Sequence, residues 1–460
     1  MRRILVILPL LAALCWPAAA SASSRQFVTF EAPRELLTAS TRDATLDQIT
    51  SFGVTHVRQL VYWRDFAPEP SSRTKPTFDA SDPAAYPADR WAKLDGLVAA
   101  AKARKVTLTL TLTGPVPKWA TRDKRDDVSY PDAKEFGAFA TAIGRRYGDD
   151  VSMWSVWNEP NQPQFLKPQY RKGKPYSPKL YRKLYRAAYA GLRATPANAK
   201  DTILIGETSP RGNANVVRPL TFLRGMLCLD SKWRKSASCG ALQADGYAHH
   251  AYTTSAGPRF RPSSKDDVTI GVLQRLVIAL DRAARARALP GNLPIHLTEF
   301  GIQSSPDKIA GVSLERQAAY RAVAEHIAYV NPRVVSFSQY LMSDDPPRSS
   351  GYRYAGFESG LRRADGRPKP AYEGFRLPLA VELYGRNDVL WGLVRPLRGV
   401  SKVTIEHRTK GEWKVLKTLD TTAAGVYALK TTHRSGQRYR VRWTAADGQT
   451  YTGPSVRGYS

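Results

Sequence analysis

A (β/α)8 TIM barrel of the α/β class, followed by a small C-terminal antiparallel β-sandwich, is the fold that the sequence predicts, and three observations predict it. Short β-branched or apolar runs alternate with amphipathic helical stretches from Phe27 to about Val335, the pattern of a parallel sheet with crossover helices. No Gly-rich phosphate fingerprint follows the first run, which favours a closed barrel over an open doubly wound sheet. Beyond about Pro378 the helical period stops and two-residue alternation replaces it.

Eight runs supply the barrel strands: Phe27–Phe30, His56–Val61, Val106–Leu112, Met153–Trp157, Ile203–Gly206, Asp245–Ala248, Ile295–Thr298 and Val334–Phe337. Between them apolar residues recur at three- and four-residue steps. Trp91, Leu94, Leu97, Val98 and Ala101 form one such set, and Phe136, Phe139 and Ile143 a second. Leu180, Leu184, Ala188 and Leu192 form a third, and Leu273, Leu276, Val277 and Leu280 a fourth. Each makes one apolar stripe opposite a polar face, as a helix laid on a sheet requires.

Past Pro378, Val403 and Ile405, Trp413 and Val415, Val426 and Ala428, and Tyr439, Val441 and Trp443 alternate with polar residues, with Tyr451 beyond them. Lys410-Gly411, Ala424-Gly425, Ser435-Gly436 and Asp447-Gly448 mark turns between these runs. The predicted plan is a leader over 1–22, a catalytic barrel over 23–378 and an Ig-sized accessory sandwich over 379–460.

The leader pairs Arg2 and Arg3 with an apolar run from Ile4 to Trp16 and ends in Ala20-Ser21-Ala22, the pattern of a secretory signal peptide cleaved after Ala22. A secreted, extracellular protein is expected. No internal stretch stays apolar over the roughly 20 residues that a membrane span needs. Cys15 leaves with the leader, and Cys228 and Cys239 are expected to form a disulfide in an oxidising compartment. The 460-residue chain carries a formal charge of +29, lowered by two when Arg2 and Arg3 are removed. Such a surface keeps the protein soluble and attracts anionic cell-surface polymers at low salt. The basic residues are spread along the chain with no zinc-finger, RNP-like or helix-turn-helix pattern, so nucleic acid is not an expected partner. A monomer is expected.

Barrel active sites lie at the C-terminal ends of the strands, and two glutamates stand there. Glu159 lies in Trp154-Ser155-Val156-Trp157-Asn158-Glu159-Pro160-Asn161, just past the fourth run, and Glu299 in Leu297-Thr298-Glu299-Phe300-Gly301, just past the seventh. Cleavage of a glycosidic bond needs two carboxyl groups flanking it, about 5 Å apart when configuration is retained. Strand ends facing each other across a barrel mouth can supply that pair although they are far apart in sequence. No HExxH, Ser/His/Asp or P-loop pattern appears, so neither a metal nor a cofactor is called for.

Over roughly residues 27 to 376, these contexts resemble the clan of glycoside hydrolases that includes cellulases of family 5 and xylosidases of family 39. The resemblance implies that Glu159, after Asn158, is the acid/base and that Glu299 is the nucleophile. It also implies that Arg58, in Val57-Arg58-Gln59-Leu60, favours an ionised Glu299. His250-Ala251-Tyr252 resembles the clan's segment after strand six, with Tyr252 bonding the nucleophile and His250 lining the sugar subsite. Asn158 would donate to the sugar 2-hydroxyl, and the charge of Glu299 would raise the pKa of Glu159. Where the clan commonly carries Trp at the end of strand eight, this chain reads Phe337-Ser338-Gln339-Tyr340-Leu341-Met342.

Trp63, Trp119 and Tyr340 sit where aromatic faces could stack on sugars, and Trp119 is expected to do so. Tyr340 is expected to border the nucleophile side. Glu207 also ends a strand, Asp344 and Asp345 follow the eighth, and His249 reads as structural. The leading function is secreted, retaining hydrolysis of a β-linked oligo- or polysaccharide. A transglycosylase working through the same intermediate, or a non-catalytic carbohydrate-binding protein on a degenerate barrel, are the alternatives.

Overall fold

The computed structural model describes residues 26–396 and 399–458; the expected leader, residues 1–22, lies outside the described residues. Strands β1 (Phe27–Glu31), β2 (His56–Tyr62), β3 (Thr107–Thr113), β4 (Met153–Val156), β5 (Thr202–Thr208), β6 (Gly246–His250), β7 (Ile295–Glu299) and β8 (Val334–Tyr340) form a closed parallel barrel. Their order around it is that of the chain, with β1 pairing both β2 and β8. Each predicted run falls on one of these strands. Val106 and Asp245 lie just before theirs, and Trp157 lies just after β4, where a φ of 70° breaks the extended backbone.

A helix follows each strand: α1 (Ala39–Ser51), α2 (Ala88–Ala103), α3 (Ala133–Tyr147), α4 (Ser177–Arg193), α5 (Pro219–Met226), α6 (Gln274–Arg285), α7 (Leu314–Tyr329) and α8 (Pro370–Arg376). The stripes read from the sequence are the buried faces: α2 covers Trp91, Leu94, Leu97, Val98 and Ala101, and α3 covers Phe136, Phe139 and Ile143. Asp132 caps α3 by accepting from the amides of Lys134 and Glu135.

Strand β3 shows how the barrel supplies polar groups to its own interior. Its sequence alternates Thr and Leu, and strand side chains alternate between faces. Leu108, Leu110 and Leu112 join the main apolar core, whereas Thr111 accepts from the Arg58 side chain and Thr113 from the amide of Asn158.

The C-terminal region forms two antiparallel sheets from β9 (Leu379–Tyr384), β10 (Asn387–Leu393), β11 (Lys402–Thr409), β12 (Glu412–Asp420), β13 (Val426–Thr432), β14 (Arg438–Thr444), β15 (Thr450–Thr452) and β16 (Val456–Arg457). Among the described residues one sheet runs β9-β10-β13 and the other β12-β11-β14-β15, with β16 also on β14. Leu379, Val381 and Leu390 of the first pack with Val403, Ile405, Val441 and Trp443 of the second, which is the sandwich core. Cys228 and Cys239 are joined by a disulfide, with Cα atoms 6.2 Å apart. Among the described residues no helix is long and apolar enough to cross a membrane.

Helix α7 touches the barrel on one side and the sandwich on the other, which explains why it lacks a one-sided stripe. Its Ala322 and Val323 pack with Ala380, Trp391 and Val426 of the sandwich. Its Glu325, 1 % exposed, is paired with Arg321 of the same helix at 2.7 Å and with Arg395 beyond β10. Arg395 also donates to the carbonyl of Phe375, so one guanidinium ties α7, α8 and the sandwich together. Glu325→Ala would leave two buried cations without their anion, and is expected to cost about 3–5 kcal/mol. Urea unfolding measures this directly; a loss under about 1 kcal/mol would mean that water or other groups already satisfy those cations.

Candidate active site

Groups from β1, β3, β5 and β7 and from the turn after β4 converge on the guanidinium of Arg58 of β2, which is fully buried. Its Nη1 donates to Glu31 Oε2 at 2.9 Å and to Glu299 Oε2 at 3.3 Å. Its Nη2 donates to Asn158 Oδ1 at 2.9 Å and to Glu207 Oε2 at 3.2 Å, and its Nε to Thr111 Oγ1 at 3.0 Å. One cation thus fixes groups from five strands or strand ends.

A second hub lies beside it. His250 Nδ1 is 3.0 Å from Glu159 Oε1 and 3.5 Å from Glu299 Oε2, while its Nε2 is 2.7 Å from Glu207 Oε2. Tyr252 donates to Glu299 Oε1 at 2.7 Å, and Thr298 donates to Glu207 Oε2 at 2.6 Å. Glu299 is therefore held through both oxygens.

The turn after β4 aims Glu159. Trp157 and Glu159 both take left-handed backbone, with φ of 70° and 39°. Such non-glycine conformations cost about 1–3 kcal/mol each and persist only where the surroundings enforce them. Here the amide of Trp157 donates to Leu112 O at 2.7 Å, that of Asn158 to Thr113 Oγ1 at 3.0 Å and that of Glu159 to Glu207 O at 3.0 Å. At the other carboxyl, Gly301 is required because a Cβ there would stand 2.6 Å from the carbonyl oxygen of Tyr340.

The surroundings push Glu31, Glu159 and Glu207 apart in acidity. Burial raises Glu159, opposed by the hydrogen bond from His250. Burial also raises Glu31, to about 8, in spite of Arg58. Burial works against charge on Glu207 too, but Arg58 and His250 outweigh it and bring its pKa down to about 2. For His250 burial disfavours the imidazolium, yet Glu299, Glu159 and Glu207 together hold its pKa at about 10. The expected influence of Glu299 on Glu159 is present, but burial is the larger cause.

Most of the predicted site residues come together here: Glu159, Glu299, Arg58, Asn158, His250 and Tyr252 all belong to this network. Tyr340 lies at its edge, half-buried at the end of β8, with its ring edge-on to Phe357 at 5.0 Å. Two expectations need correction. His250 does not line a sugar subsite; with no exposed surface it lies beneath the carboxyl groups and positions them. Trp119 offers no stacking face: its ring is buried edge-on to Trp63 and Phe78, and its indole N–H donates to Pro68 O at 3.1 Å. Trp63 is likewise core, stacked on Phe139. Asp344 pairs with Lys369 at 2.6 Å, and Asp345 accepts from the amide of Phe357, so both serve the loop after β8. His249 is structural as expected, bonded to Thr208 and to the carbonyl of Val268.

Sequence reasoning missed Glu31 altogether and underrated Glu207. Both end barrel strands, and that position was the available signal. Among the described residues no group of His, Cys, Asp and Glu could hold a metal ion.

A closed (β/α)8 barrel with paired carboxyl groups at its mouth is the architecture of a glycoside hydrolase. A model of the cellulases, glycosyl hydrolase family 5, matches residues 20–341, and the chain belongs to that family. Among solved structures it is similar to a family 5 enzyme, GH5_18 from Streptomyces cattleya in complex with GlcNAc, at 18% identity and a TM-score of 0.53 over 77% of this chain and 79% of that one. A monomeric beta-xylosidase from Caulobacter crescentus CB15 shares 15% identity at a TM-score of 0.50, over 94% of this chain and 96% of that one. A family 39 glycoside hydrolase from Bacteroides cellulosilyticus WH2 also shares 15% identity at a TM-score of 0.50, over 90% and 82% of the two chains. At these identities the likeness is one of fold. No curated protein sequence matches the chain.

His250 keeps its proton to about pH 10 in the fold, against an ordinary value of 6.5. Its contribution to stability is therefore complete below about pH 6.5 and is lost as pH rises toward about 10. In urea unfolding, His250→Gln should lack that part of the alkaline decline, a slope of up to about 1.4 kcal/mol per pH unit. Equal slopes in both proteins would mean that the folded protein holds His250 neutral.

Proposed function

We propose that this chain is a secreted, retaining hydrolase of β-linked glycosides that works by double displacement, with Glu299 as nucleophile and Glu159 as acid/base. One observation carries the reading: Glu159 from the end of β4 and Glu299 from the end of β7 both reach the same nitrogen of His250, at 3.0 and 3.5 Å. The two oxygens are thus at most 6.5 Å apart, the lower limit of the inverting range of about 6.5–9.5 Å, and any angle at Nδ1 short of a straight line brings them nearer the roughly 5 Å of a retaining pair.

In the first step Glu299 forms a bond to the anomeric carbon as the bond to the leaving oxygen breaks, and the proton of Glu159 goes to that oxygen. In the second, water attacks the anomeric carbon, its proton goes to Glu159, and Glu299 departs as a carboxylate. The bonds from Arg58 and Tyr252 hold both oxygens of Glu299 in place for attack. Asn158 presents its oxygen to Arg58, which leaves its amide N–H2 to donate to a sugar hydroxyl. Tyr340 borders the glycosyl side, where the clan commonly has Trp.

The β-configuration agrees with the beta-xylosidase of similar fold. Export agrees with the N-terminal sequence and with the Cys228–Cys239 bond. In this reading the mature chain acts as a monomer, the sandwich is an accessory region without catalytic groups, and the basic surface favours anionic cell-surface polymers.

The two glutamates should fail differently. Glu159→Ala should lose about 10² to 10⁴-fold on substrates with poor leaving groups yet still form the glycosyl-enzyme from an activated aryl glycoside. Azide should then accelerate its turnover and give the β-glycosyl azide, identified by NMR. Glu299→Ala should form no intermediate and give, if anything, the α-azide. An α-azide from Glu159→Ala, or an inverted product from the native enzyme, would overturn the assignment.

A further inference from the structure

We propose that Glu31 is a positioning residue for the nucleophile: as a neutral acid it orients Arg58 without claiming its charge, and its ionisation withdraws that charge from Glu299. The inference rests on the roles proposed above for Glu299 and Glu159. It begins with a shared donor. Arg58 Nη1 lies 2.9 Å from Glu31 Oε2 and 3.3 Å from Glu299 Oε2, so the two carboxyl groups compete for one N–H group, and Glu31 holds the shorter contact.

Glu31 is also poorly provided for as an anion. It is 2 % exposed, and its second oxygen, Oε1, is buried with no hydrogen-bond partner among the described residues. An ionised carboxylate in such a place would have four lone-pair sites and one donor, whereas a protonated one needs far less. Every charged or titratable group facing it fits this picture. Arg58 of β2 and His250 of β6 are the cations; Glu299 of β7 and Glu207 of β5 are the opposing carboxyl groups. Tyr62 of β2, Tyr252 just beyond β6 and Tyr340 of β8 surround the same space, and burial raises the pKa of each. With two cations against Glu207 and Glu299, a third carboxylate finds no counter-charge. Burial accordingly moves Glu31 to about 8, within the range of an ordinary assay.

The consequence is directional. Below about pH 8 a neutral Glu31 accepts from Nη1 while Arg58 keeps its full charge for Glu299. Above it, the new carboxylate draws Nη1 closer, lengthens the weaker contact to Glu299 and repels that group, so the nucleophile loses its alignment.

The pH dependence of kcat/KM on a 2,4-dinitrophenyl β-glycoside tests this, because so good a leaving group makes the glycosylation step indifferent to the proton on Glu159. The native enzyme should show an alkaline limb near pH 8, falling about tenfold per unit above it. Glu31→Gln, which mimics the neutral acid in shape and hydrogen bonding, should match the native rate within about twofold near pH 6 and lose that limb. Glu31→Ala should be at least about tenfold slower at pH 6, with an unchanged melting temperature marking it as folded. A Glu31→Gln profile that superimposes on the native one would overturn the role given to Glu31 and leave the catalytic pair intact. Failure of the native enzyme to cleave any such glycoside would overturn both readings.

Discussion

A single buried guanidinium organises this molecule's mouth. Arg58 has no exposed surface, and a charge so placed is tolerable only when ion pairs and hydrogen bonds replace its water. The barrel supplies them from five directions, as Glu31, Thr111, Asn158, Glu207 and Glu299 each accept from it. The strands and strand ends that carry these groups lie up to 241 residues from Arg58 in sequence. Only closure of the parallel barrel brings them within reach, which is why the site cannot form ahead of the fold.

From that constraint follows the division of labour among the carboxyl groups. Glu207 touches Arg58, His250 and Thr298, and Arg58 and His250 overcome its desolvation and bring its pKa down to about 2. Glu159, largely shielded from water, has His250 as its side-chain hydrogen-bond partner among the described residues, and desolvation raises its pKa, the direction that an acid catalyst requires. Identical side chains thus differ in acidity because their neighbours differ, as the roles proposed for them require. Glu299 sits between them, with Tyr252 on one oxygen and the two cations on the other.

Much of this was legible in the sequence, for definite reasons. The barrel strands were readable because alternating short apolar runs and one-sided stripes admit few other folds. Glu159 and Glu299 were readable because their contexts, Asn-Glu-Pro and Thr-Glu-Phe-Gly, place them at the C-terminal ends of strand runs. His249 and His250 illustrate the limit of such reading. Neighbours on a strand point to opposite faces, so one of the two had to face the barrel interior, and the structure assigns His250 to the carboxyl groups and His249 to Thr208. Whether an interior histidine meets sugar or lies beneath the reacting groups depends on depth, which period-two alternation does not encode. Trp119 was misplaced for a similar reason: an aromatic in a barrel loop looks alike in sequence whether it faces substrate or Trp63 and Phe78. Glu31 was passed over because a lone glutamate after Phe27-Val28-Thr29-Phe30 looks like an ordinary strand end, and its partner Arg58 is visible only in three dimensions. Strands β9 and β10 went unread because the alternation sought beyond Pro378 began at Val403, while Leu379–Leu393 turns through Gly385 with exposed residues at its tip.

Double displacement requires Glu299 to become covalently attached to the sugar. A 2-deoxy-2-fluoroglycoside with an activated leaving group slows both steps and lets the glycosyl-enzyme accumulate, so that digestion and mass spectrometry can locate it. A single adduct is expected, on the peptide that contains Glu299, formed as the leaving group is released and discharged when the enzyme turns over. An adduct on Glu159, Glu207 or Glu31, or steady turnover of the native substrate with inverted products and no adduct, would contradict it.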